Sequence, residues 1–132
     1  MFIDYTDGEK ALVRDLRAYF ERLVTAELLD EVSGSEGGGP LYTNALRTMG
    51  ADGWLGIGWP KEFGGQGRPA IEQFIFFDEV QRAGFPIPFL TLCTVGPTLM
   101  KYGTDEQKAR LLPAILRGEM HFAIGYSEPS AG

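Results

Sequence analysis

Apolar side chains three and four residues apart, in one stretch after another, commit most of this chain to helices that each hide one stripe. From Thr6 to about Leu29 the stripe is Leu12, Val13, Leu16, Phe20, Leu23 and Val24, with Arg14, Asp15, Arg17 and Glu21 falling mostly between its members. One long amphipathic helix is predicted there, opened by Thr6 and Glu9 at capping-box spacing. Ser33 to Pro40 holds too many glycines for a helix or strand and reads as a mobile surface loop. It is not a phosphate loop, because no strand precedes it and no Gly-Lys-Ser/Thr follows. A short second helix over Leu41 to Met49 closes near Gly50.

From Ala51 to Pro69 glycines punctuate large apolar residues, so the chain cannot continue as a helix. A compact turn is expected, with Trp54, Leu55, Ile57, Trp59 and Phe63 plugging the core and tryptophan stacking on a cofactor as the less favoured alternative. Pro69 opens a third long helix, where a missing amide does no harm, and Gly84 stops it. Ile71, Phe74, Ile75, Phe76, Phe77 and Val80 make that helix apolar around most of its circumference, which predicts a central helix covered on several sides. Glu72 and Glu79 share a face and are expected to reach solvent. Asp78 falls on an apolar stripe and needs a partner; an ion pair with Arg82 is favoured over a general acid or base role. Phe85 to Phe89 is too rich in proline for a helix. Leu90 to Tyr102, uncharged until Lys101, reads as a buried helix bent near Gly96 and Pro97. Its residues Thr91, Thr94 and Val95 suit either a greasy tunnel or plain core packing. Thr104 and Gln107 open a last helix with Leu111, Leu112, Ile115 and Leu116 as its stripe; Pro113 predicts a break or kink at Leu112, and Arg117 complements the dipole before the stop at Gly118.

The last eleven residues, Phe122 to Gly132, read as a short strand running into a Ser-Glu-Pro turn. A serine and open backbone amides at such a turn make a hydrogen-bonding lip for a flat polar ring or a phosphate. A strand has nowhere to pair in an otherwise helical chain, so the 132 residues read as the first piece of a larger protein. With 44% hydrophobic and 12% aromatic residues the chain can bury a core, yet it has no apolar run near the roughly 18 residues that span a bilayer. No secretory signal is visible at the amino terminus, and a cytoplasmic location is expected. Cys93 cannot form an internal disulfide and reads as a small buried hydrophobe rather than a nucleophile. The net charge of −6 argues against nucleic-acid partners and anionic membranes. His121 is the sole histidine, which excludes a histidine metal cluster or a Ser/His/Asp triad within the chain.

Three segments carry a resemblance. Gly53 to Gly67, then Tyr102 to Lys108 with Leu112-Pro113, then Gly125 to Gly132 are similar to three successive motifs of the acyl-CoA dehydrogenase family, in family order and across essentially the whole chain. The pattern is also similar to actinobacterial members that act on steroid side-chain thioesters. The resemblance implies an all-α bundle of five or six helices over 1–120, then the first strand and flavin-contacting loop of a middle β-barrel domain over 121–132. It implies FAD as cofactor, an acyl-CoA substrate that gains an alpha,beta double bond, electron-transfer flavoprotein as acceptor, and a homo- or hetero-tetramer. By the family pattern Ser127 donates to the flavin ring, Tyr126 contacts the ring through its backbone, and Glu128, Pro129 and Gly132 shape the loop. Leu90, Thr91, Thr94 and Val95 face the acyl group. The family usually has Leu, Ile, Val or Met where Tyr126 stands and often Thr in place of Ser127. No catalytic residue and no metal ligand is assigned within this chain; Glu128, at a turn after a strand, is a structural carboxylate. The alternatives are a non-catalytic subunit on the same scaffold and an unrelated helical interaction domain, for which Phe74 to Val80 and Leu90 to Leu99 would form a partner groove.

Overall fold

A computed structural model describes residues 4–34, 38–125 and 127–130. Among them six α-helices form and no strand does. Helix α1 (Asp7–Leu23) starts with the predicted box: Thr6 Oγ1 accepts from the Glu9 amide at 3.2 Å, and Glu9 Oε2 accepts from the Thr6 amide at 2.6 Å. The single helix expected to Leu29 is two helices. Val24 leaves the helical region at φ −96°, ψ 90°, and Thr25 Oγ1 accepts from the Leu28 amide at 3.3 Å, which starts α2 (Ala26–Gly34). A β-branched residue followed by a hydroxyl able to cap the next turn ends one helix and nucleates another without disturbing the apolar period. The loop expected from Ser33 is therefore helical through Gly34, while residues 35–37 lie outside the described ones.

Helix α3 (Pro40–Ala51) has Gly39 at its cap, with no side chain to offer. The Glu31 carboxylate of α2 does the capping instead, accepting from the amides of Gly39 at 3.1 Å, Leu41 at 3.2 Å and Tyr42 at 2.8 Å. The glycine-punctuated stretch then folds back on itself through short 3₁₀ turns at Trp54–Gly56 and Lys61–Phe63, and the Gln66, Gly67 and Arg68 amides donate to Gly56, Trp59 and Ile57 carbonyls. A Cβ at Gly65 would sit 2.1 Å from the Trp59 carbonyl oxygen, so the return path requires glycine. Leu55, Ile57 and Trp59 are buried, and half-buried Trp54 stacks on Phe76, bearing out the core role of both indoles.

Helix α4 (Ala70–Arg82) follows Pro69, its cap, and packs on α1 through Ile75, Phe76 and Val80. It is not covered on several sides: Ile71 is 41% and Phe74 57% exposed. Glu79, expected in solvent, is only 4% exposed, because Arg17 of α1 reaches over it, Nε donating to Oε2 at 3.1 Å and Nη2 to Oε1 at 2.7 Å. Asp78 pairs with Arg82 at 2.9 Å as its spacing suggests.

Past the extended Phe85 to Pro88, the bend foreseen near Gly96 and Pro97 takes the form of a π turn, Thr91–Val95, before α5 (Gly96–Tyr102). Pro97 has no amide for the Cys93 carbonyl and its ring crowds that carbonyl, so the preceding turn widens and the Gly96 amide donates to Thr91 rather than Leu92. Helix α6 (Asp105–Leu116) opens with the Thr104/Gln107 box and packs against α5. The break predicted at Leu112 does not occur; the helix runs through Pro113, and the carbonyl that loses its donor belongs to the exposed Ala109. Gly118 ends this region with φ 68°. The strand predicted from Phe122 is not formed over 122–125, since no neighbouring strand among the described residues offers it a ladder. No helix of the described residues is long and apolar enough to cross a membrane.

Candidate functional site

The π turn is the hub of the candidate site. Its widened bonding leaves the Leu92 carbonyl without the Gly96 amide, and the buried Trp59 Nε1 donates to it at 2.9 Å. The indole can come that close because residue 96 is glycine: a Cβ there would lie 2.1 Å from Trp59 Cζ2. One residue earlier, Thr91 is fully buried. Its Oγ1 accepts from the Phe122 amide at 2.7 Å and donates a longer bond, 3.4 Å, to the Phe122 carbonyl. Thr91 thus holds both polar groups of one residue in the tail.

Beyond that clamp the tail is open. A Cβ built at Gly125 meets nothing within 4 Å, and Ser127, Glu128, Pro129 and Ser130 are all exposed. An uncharged hydroxyl on an exposed turn is a donor that fits a flat polar ring. Tyr126 and Gly132, named with these residues from the sequence, lie outside the described ones.

On α4 and α5 the same turn borders an apolar cavity of about 870 Å³. Phe74 and Phe77 of α4, Phe89, Leu92, Cys93 and Met100 supply its apolar walls, and Asp78 and Lys101 put charge on its lining. Burial raises the Cys93 thiol to a pKa of about 11, so it stands there as a neutral, apolar group. The four residues assigned to the acyl group do not line this cavity: Thr91 is buried and engaged, Leu90 and Val95 are half-buried, and Thr94 is exposed with its carbonyl accepting from Thr98 Oγ1 at 2.8 Å. The groove between Phe74–Val80 and Leu90–Leu99 named in the interaction-domain alternative is brought together here. What the sequence could not show is the contribution of Phe89 and Met100 to it, since their side of the helix is set by the π turn. No group of three or more His, Cys, Asp or Glu among the described residues is placed to hold a metal.

The chain belongs to the acyl-CoA dehydrogenase family: the model of the acyl-CoA dehydrogenase N-terminal domain matches residues 6–119. Among characterised relatives, the acyl-CoA dehydrogenase FadE26 of Mycobacterium tuberculosis is 54% identical over 135 aligned positions, covering all of this chain and 34% of that protein. Among solved structures, the ChsE4-ChsE5 complex from Mycobacterium tuberculosis superposes with a TM-score of 0.88 at 53% identity, over all of this chain and 33% of that one. The Tcur3481-Tcur3483 steroid ACAD gives a TM-score of 0.90 at 53% identity, again over all of this chain and 34% of its counterpart. The chain thus spans about a third of the length of the proteins it matches.

Proposed function

We propose that this chain is the helical wall of an FAD-dependent acyl-CoA dehydrogenase acting on thioesters with a bulky, steroid-type acyl group. The observation that carries this is the exposed turn at 127–130 on a scaffold of that family, on a tail held at Phe122. The steroid assignment draws on the similar structure whose name states it, the Tcur3481-Tcur3483 steroid ACAD.

In this role Ser127 donates its hydroxyl to the flavin ring, the Tyr126 backbone meets the ring, and Glu128, Pro129 and Gly132 shape the loop. When bound, FAD supplies the acceptor for the hydride that leaves the substrate as a proton is lost from the carbon next to the thioester. The chain's part is orientation and exclusion of water, which reaction geometry rewards strongly. Leu90, Thr94 and Val95 face the acyl group, while Thr91, its hydroxyl engaged, acts through the tail. No residue of this chain is assigned the proton abstraction. Electron-transfer flavoprotein is the proposed acceptor, and a tetramer, homomeric or with a second related subunit, the proposed assembly.

The test is to purify the protein that carries this chain at its full length and record its visible spectrum, then add a steroid side-chain thioester. Flavin absorption that bleaches on adding the thioester is expected. A colourless protein that takes up no added FAD would refute the reading.

A further inference from the structure

We propose that Thr91 is a positioning residue for the flavin-facing turn, an inference that rests on the function proposed above. Beyond Glu119, the two bonds between Thr91 and Phe122 are the only side-chain hydrogen bonds tying down the tail among the described residues. Phe122 itself is half-buried against the core, so the clamp and the ring fix one residue in both direction and depth. Ser127 lies five residues on, no more than about 18 Å of extended chain from the tether. The clamp shortens the stretch of chain that must be ordered when a ring binds, which is the saving that pre-organisation provides.

The hydroxyl is placed by the fold rather than by local preference. Pro97 forces the π turn, the π turn frees the Leu92 carbonyl, Trp59 locks onto it, and Thr91 is left pointing at Phe122 from a fully buried site. Replacing the hydroxyl by a methyl group of equal volume leaves the Phe122 amide and carbonyl without their partner while the core keeps its shape. The loss should fall on the tail more than on the domain.

The experiment compares wild type, Thr91→Val and Thr91→Ser in the full-length protein, measuring FAD affinity by titration into apo-protein, the flavin reduction potential, and thermal stability. Thr91→Val is expected to weaken FAD binding about tenfold and to shift the potential, with Thr91→Ser restoring both. A folded Thr91→Val protein that binds FAD as wild type does, at an unchanged potential, overturns the proposal while leaving the proposed function intact. A wild type that takes up no FAD overturns both. Should Thr91→Val fail to fold, Thr91→Cys, with a weaker donor and acceptor in similar volume, is read by the same criteria: partial loss supports the clamp and unchanged affinity overturns it.

Discussion

Asp78 and Glu79 are adjacent carboxylates with opposite surroundings. Asp78 is partly exposed and paired one turn on with Arg82, a partnership that spacing alone reveals. Glu79 is buried and paired with Arg17, 62 residues away, and the carboxylate holds that guanidinium's pKa above its ordinary value. No spacing rule reaches across two helices, so the carboxylate that is truly enclosed was assigned to solvent. Cys93 fared better: an apolar neighbourhood was enough to predict an inert thiol, and burial does raise its pKa to about 11. Between the ordinary thiol value and that one the native state keeps a proton that the unfolded state has lost, so this residue's contribution to stability is present below pH 9 and falls away as pH rises toward 11. Alkylation of Cys93 by iodoacetamide, followed by mass spectrometry, should accordingly rise by about tenfold per pH unit past pH 9. A rate that levels off by about pH 10 would show an unperturbed thiol.

Helix ends with a local chemical cause were legible: both Thr capping boxes and the stop at Gly118 follow from residues within four positions. The division at Val24 was hidden because Thr25 caps α2 without interrupting the apolar stripe, and the cap of α3 was hidden because Glu31 supplies it from another helix. The irregularity at Gly96 and Pro97 was visible, yet its form depends on an indole arriving from residue 59 to donate to the freed carbonyl. This joint gives a test. Gly96→Ala places a methyl group inside the Trp59 ring contact and should cost about 1–3 kcal/mol in urea unfolding, with the Trp59 to Leu92 bond broken. An alanine variant as stable as wild type would mean the indole is not seated as described. The candidate turn at 127–130 was likewise legible as a motif, whereas its tether to Thr91, 31 residues from Phe122, was not.

Across the whole molecule one core joins the elements, and Phe76 lies where three of them meet. It is fully buried, with Phe20 of α1 at 6.0 Å, Trp54 of the glycine-punctuated turn stacked at 6.0 Å, and Phe77 beside it. Phe76→Ala should therefore cost about 3–5 kcal/mol and lower the urea midpoint of the whole domain in one transition. Two separated transitions would contradict a shared core. The two indoles, finally, occupy unlike settings. Trp59 is sealed and bonded to a helix carbonyl, whereas Trp54 is half open beneath the Arg68 guanidinium at 5.7 Å. One emits from a dry interior and the other from beside water and a cation, so the native fluorescence carries two colours, the bluer of which reports on the joint beneath Thr91.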